Sequence, residues 1–169
     1  WLPEVLAKLE RQRYRDFEII LVDSGSVDRT RDIGAAAGAR IVRLRSEDFT
    51  FGHSLNVGIR EARGRFIAIL SAHAIPLDED WLGKLVEPLR QETTAMVYGG
   101  QIGHAVSKFS EARDFERQFP EQPHIVDEET PFANNANSAV TRAGWEAHPF
   151  DEGLPGLEDI EFAKYWLKK

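Results

Sequence analysis

Apolar residues along this chain fall into two kinds of block, and their alternation predicts the architecture. Phe66-Ile67-Ala68-Ile69-Leu70 is a near-continuous apolar run, the pattern of a strand buried on both faces of a sheet. The run stops at Ser71, and Pro76 prevents it from continuing as a central ladder. Phe17 to Val22 is a second such run, and Ala39 to Leu44, Ala95 to Gly99 and Asn137 to Thr141 are shorter candidates. The other kind of block repeats at helical spacing. Leu2, Leu6 and Leu9 mark a helix over Trp1 to Arg13. Asp28 can cap a helix ending at Gly38, and Ser54 can cap one through Ala62 that Gly64 ends. Asp78 or Asp80 starts a helix carrying Leu82, Leu85 and Leu89. Pro88 should kink or end it, since a mid-helix proline costs about 3 kcal/mol.

Further on, Phe109, Ala112, Phe115 and Phe119 stripe a helix over Ser107 to Phe119, and Pro120 to Pro131 reads as a polar, irregular, mobile loop. Thr141 can cap a short helix containing Trp145. The final helix runs from about Leu157 to Lys168, with Ile160, Ala163 and Leu167 on one side. Strands alternating with helices predict one domain over residues 1–169, three-layer α/β/α with a mostly parallel central sheet. The pattern opens on a helix, so a leading strand is expected before it, and the chain reads as a fragment of a longer one.

Composition narrows the functions. Of 169 residues, 42% are apolar and 29% charged, an ordinary globular mixture. A net charge of −7 argues against a general nucleic-acid or acidic-membrane binder. There are no cysteines, hence no thiolate nucleophile, and no apolar run approaches a membrane span.

Four clusters fall at predicted strand ends or helix starts. In open α/β sheets, ligands bind outside the carboxyl ends of the strands. The turn Asp23 to Asp28 can offer carboxylates to a ribose or base edge, or simply cap the next helix. Asn56 and Arg60 share a helical face near His53. Ser71 and His73 close the Phe66 strand, and a lone histidine is more often structural than a metal ligand. Asn134-Asn135-Ala136-Asn137-Ser138 carries more donors and acceptors than a turn needs, and Glu158-Asp159 opens the last helix. Acids there stabilise the helix by about 0.3–1 kcal/mol each; a carboxylate can also take the proton of a hydroxyl nucleophile.

Taken together, these segments resemble the family 2 inverting glycosyltransferases, which have the GT-A fold. Glu18 to Thr30 looks like the family's strand and aspartate-rich turn, and Asn56 to Gly64 like its asparagine-glycine helix. Phe66 to Pro76 looks like the strand that ends in the metal-binding Asp-x-Asp motif, followed by Asp80-Trp81-Leu82, and Glu158-Asp159 like the Glu-Asp motif. The stretches Asn134 to Ser138 and Leu154 to Ala163 resemble a rhamnosyltransferase-like subset. The resemblance implies a GT-A domain without its first strand, acting on a nucleotide-diphosphate sugar and a glycan or lipid-linked acceptor, in bacterial polysaccharide or cell-envelope synthesis, and located in the cytoplasm or at the inner face of the membrane.

It implies Asp159 as the base and Asp23, Ser24, Ser26, Asp28 and Asn56 as nucleotide-binding residues. Asn135, Asn137 and Glu158 are candidates for sugar contacts. It also implies a divalent cation, Mn²⁺ or Mg²⁺, on the leaving diphosphate. Here the sequence departs from the family: Ser71-Ala72-His73 stands in place of Asp-x-Asp, leaving His73 as the one strong candidate ligand. That departure motivates a second reading, a non-catalytic nucleotide-sugar-binding domain. An unrelated doubly wound nucleotide-binding domain is disfavoured, because no glycine-rich phosphate fingerprint follows any strand.

Overall fold

The computed structural model describes residues 1–103, 109–119 and 122–169. In chain order the elements are α1 (Leu2–Glu10), β1 (Ile20–Asp23), α2 (Thr30–Ala36), β2 (Arg40–Arg43), α3 (Phe51–Glu61), β3 (Phe66–Leu70), α4 (Trp81–Val86), β4 (Met96–Tyr98), α5 (Phe109–Gln118), β5 (Asn137–Thr141), α6 (Arg142–Ala147) and α7 (Glu158–Leu167). Pro88 acts as expected: α4 ends at Val86 and the chain tightens into a 3₁₀ turn over Glu87–Arg90. Ser107 and Lys108, and the side chains of Phe109 and Ala112, lie outside the described residues, as do Pro120 and Glu121.

The strands form two ladders. β1 and β2 pair in parallel from Ile20↔Arg40 to Asp23↔Arg43. β3, β5 and β4 form an antiparallel ladder in that spatial order. β3 and β4 therefore run the same way, with β5 reversed between them. The mostly parallel sheet expected from the alternation is thus mixed, because a strand late in the sequence enters between two earlier ones. Helix α3 ties the ladders together: Gly58 faces Val22 of β1, while Ile59 packs with Ile67 and Ile69 of β3.

The three layers follow from side-chain alternation in the second ladder. Ile67, Ile69 and Val140 join Ile59, Trp145, Phe150 and Phe162 in one core. Phe66, Ala139 and Val97 turn the other way, onto Leu85, Leu89 and Trp81. Helices α3, α6 and α7 thus cover one face and α4 the other.

Three expectations need correction. Thr50, not Ser54, caps α3: its backbone is extended and its hydroxyl accepts from His53 N at 3.0 Å, so the helix starts at Phe51. Ser54 lies inside the first turn and donates to Phe51 O at 2.9 Å. The ladder of β1 begins at Ile20 rather than Phe17, since its partner starts at Arg40. On α7 the buried residues are Glu158 and Phe162, not Ile160, Ala163 and Leu167, because Phe162 packs against Phe150 in the core.

Candidate functional site

The turn after β1 is closed on Asp23. Asp23 Oδ1 accepts from Ser26 N at 3.2 Å, and Arg31 approaches Oδ2 at 3.4 Å. The residue is buried. Burial alone would push its carboxyl up, but the Ser26 hydrogen bonds and the Arg31 charge outweigh it and hold the group below the usual range. Gly25 adopts φ +104°, and a Cβ there would meet Ser46 Oγ at 2.3 Å, so the tight turn requires glycine. Ser46 Oγ donates to Ser24 O at 2.7 Å, and Asp28 Oδ1 accepts from Thr30 N at 2.9 Å. Asp23 therefore faces inward and shapes the turn. Ser24 and Ser26 are half-buried, and Asp28 is exposed.

At the exit of β3, Ser71 N donates to Ala136 O at 3.1 Å, continuing the pairing with β5 one residue past Leu70↔Asn137. His73 is exposed, and its Nδ1 lies 3.0 Å from Ser71 Oγ. The turn entering β5 reaches across to α7. Asn135 N donates to Asp159 Oδ2 at 3.1 Å, and Asn135 Nδ2 donates to Glu158 Oε1 at 3.1 Å. Ile160 N donates to Asp159 Oδ1 at 2.8 Å. Glu158 is only 5% exposed, while Asp159 is half-buried. Ser71, Asn135, Glu158 and Asp159, up to 88 positions apart in sequence, are thus joined by hydrogen bonds at one end of β3 and β5.

Two expected contact residues are turned elsewhere. Asn137 is buried, accepts from Trp81 Nε1 at 2.9 Å and donates to Gly100 O at 3.3 Å. It joins α4 to the exit of β4. Asn56 is 1% exposed. Its Nδ2 donates to Phe150 O and to Glu152 Oε1, each at 2.8 Å. Its Oδ1 accepts from Trp145 Nε1 at 2.8 Å and Phe150 N at 3.2 Å. An asparagine amide has two N–H groups and two acceptor lone pairs. All four are spent, so Asn56 has nothing left for a nucleotide and holds the 150–152 segment instead.

Glu152 went unnoticed in the sequence. It accepts from Asn56, lies 2.7 Å from His53 Nδ1 and pairs with Arg60 at 3.3 Å. Gly52 permits this docking, since a Cβ there would lie 2.3 Å from Asp151 O. The Asn56 hydrogen bond, with His53 and Arg60, outweighs partial burial and holds the Glu152 carboxyl below its usual range. A depressed carboxyl stabilises the fold above its unfolded-state pKa, and that contribution disappears as pH falls through the folded-state value. Glu152→Gln is therefore expected to destabilise the protein at pH 7 and to approach the wild type near pH 3, a difference that urea unfolding at both pH values would read. An equal deficit at both would rule out the ion pairing as its cause. No local signal marks Glu152, because its partners lie 92 to 99 positions away.

The residues at the β3 exit do not fit a divalent cation. Mg²⁺ and the similar Mn²⁺ want several oxygen ligands, carboxylates above all. Here Ser71 Oγ sits within 3.4 Å of both ring nitrogens of His73, so the hydroxyl and the imidazole are partners of each other. Among the described residues no three His, Cys, Asp or Glu side chains gather as a metal group.

Mixed strands under helices on both faces, with turns converging at strand exits, form a three-layer fold of the GT-A type. Solved structures share the fold. A mannosyltransferase from Pyrobaculum calidifontis, in complex with GDP-Man and Mn²⁺, superposes with TM-score 0.73 over 98% of this chain and 47% of its own, at 22% identity. Glucosyl-3-phosphoglycerate synthase from Mycobacterium tuberculosis, in complex with UDP, gives 0.64 over 95% and 59%, at 23% identity. The family Glycosyl transferase family 2 matches residues 1–146, and the chain belongs to it. A PGL/p-HBAD biosynthesis glycosyltransferase from Mycobacterium bovis is 32% identical over 106 residues, covering 60% of this chain and 41% of that protein. The chain thus spans less than half the length of that relative. No described helix is long and apolar enough to cross a membrane.

Proposed function

We propose that this chain carries the site of an inverting sugar transfer from a nucleotide-diphosphate sugar. The acceptor is a hydroxyl on a glycan or lipid-linked molecule at the cytoplasmic face of a bacterial membrane, and the product belongs to polysaccharide or cell-envelope glycans. The observation that carries the reading is the Glu158–Asp159 pair, hydrogen-bonded to the turn that continues β3 and β5. Similarity to proteins bound to GDP-Man and UDP supports the donor class, and the motifs Asn134 to Ser138 and Leu154 to Ala163 keep a rhamnosyl donor among the candidates.

Asp159 is the base. Two backbone N–H groups orient its carboxylate, one on each oxygen, and each oxygen keeps a lone pair for the acceptor's proton. The freed acceptor oxygen attacks the anomeric carbon in line, the bond from that carbon to the diphosphate oxygen breaks, and the nucleoside diphosphate leaves with the electron pair. Inversion follows from the single displacement. The Asp23 turn receives the nucleoside, with Ser24, Ser26 and Asp28 making the contacts that inward-facing Asp23 cannot. A thermal-shift screen of nucleotide sugars tests the donor class, and raised melting by one nucleotide series is the expected result.

The donor set at the β3 exit carries a separate expectation. Added Mn²⁺ should change nucleoside diphosphate affinity by no more than about twofold, under about 0.5 kcal/mol, in calorimetric titrations with metal and with EDTA. Tightening by tenfold would return His73 to the role of ligand. The same donor set favours a second reading, a domain that binds nucleotide sugars without turning them over. Release of nucleoside diphosphate from a bound donor would exclude it.

A further inference from the structure

We propose that Asn135, aimed by Ser138, is the positioning residue of the acidic pair. The inference rests on the reading of Asp159 as the base. Ser138 is fully buried in β5, between Ile69 of β3 and Tyr98 of β4. Its hydroxyl donates to Asn135 Oδ1 at 2.8 Å. A hydroxyl can donate or accept, so the orientation of the amide is set at its other end: the Glu158 carboxylate oxygen takes the N–H, which leaves the amide oxygen to accept from Ser138. The amide nitrogen is then directed at Glu158 Oε1, and the peptide N–H of the same residue at Asp159 Oδ2.

One residue thus grips both carboxylates of the pair and is itself fixed by the rigid centre of the sheet. Burying a carboxylate such as Glu158 is costly unless it is hydrogen-bonded, and Asn135 supplies that bond. Helix α7 brings no cap of its own, because Leu157 before it lies in the left-handed region at φ 65° and caps nothing with its side chain. The placement of Asp159 is therefore delegated to the β5 turn.

His73 lies two residues past Ser71, whose N–H joins the β5 turn at Ala136, and the next charged groups along α7 are Glu161, which pairs with His148 at 3.0 Å, and Lys164. Asn135→Asp keeps the shape but sets a carboxylate against Glu158, which should disfavour further negative charge beside Asp159.

The experiment follows nucleoside diphosphate release from GDP-mannose and UDP-glucose across pH. Asn135→Ala should lower kcat by about 10- to 100-fold with the KM for the sugar donor little changed. Asn135→Asp should move the acid limb of kcat/KM upward by about one pH unit. Melting temperatures confirm folding, and near-isosteric Asn135→Asp carries the test alone if Asn135→Ala does not fold. An unmoved acid limb with wild-type kcat in Asn135→Asp, alongside an inactive Asp159→Asn, overturns this inference and leaves the base reading standing. Full activity in Asp159→Asn overturns both.

Discussion

Asp159→Asn is expected to lower sugar transfer by a factor of about 10² to 10⁴, with only a small loss of stability. The two effects separate because the carboxylate does two jobs. It accepts from Asn135 N and Ile160 N, one on each oxygen, and on the proposed mechanism it also takes the acceptor's proton. An asparagine oxygen can keep one of those N–H bonds, while its amide nitrogen faces the other donor. The net cost is about 1 kcal/mol, or a fall of about 2–4 °C in melting temperature for a domain of this size. The proton-accepting capacity is lost outright. Turnover of Asp159→Asn at the wild-type rate, measured beside its melting curve, would remove Asp159 from the mechanism.

The opposite signature is expected for Asn56→Ala. Removing that amide strands Trp145 Nε1, Phe150 N and Phe150 O, all bonded to Asn56. Each stranded buried group costs about 1–3 kcal/mol, so a total near 3–5 kcal/mol and a drop of roughly 10 °C or more are expected. Trp145 and Phe150 belong to the core that covers one face of the sheet, so the damage spreads beyond the 150–152 segment. Differential scanning calorimetry reads the loss. A variant that melted normally but bound nucleotide poorly would reinstate Asn56 as a contact residue.

Much of the frame was readable because it rests on local chemistry. The Phe66 run, the stop at Pro88 and the cap of Thr141, which accepts from Gly144 N at 3.0 Å, depend on neighbours within a few residues. So does the segregation of Glu158 and Asp159 at the first turn of a helix. What escaped the sequence depends on distance. Nothing near Asn137 announces that its strand inserts backwards between two earlier ones. Nothing near Asn56 announces that a tryptophan 89 positions later will claim its oxygen. Polar residues look like ligand contacts in a sequence because their eventual partners are invisible there. Asn56 and Asn137 proved to be internal fasteners, while Asn135 binds the acidic pair itself.

The late entry of β5 also governs how the polypeptide can be made. Phe66 finds its ladder partner only at Thr141 and Tyr98 only at Ser138. Until residue 141 leaves the ribosome, two earlier strands present bare, sticky borders to whatever else is nearby. Such long-range closure is intrinsically slow. Chains truncated before Asn137 should therefore precipitate rather than yield a smaller soluble domain, and chaperone demand during synthesis should fall once that strand has docked.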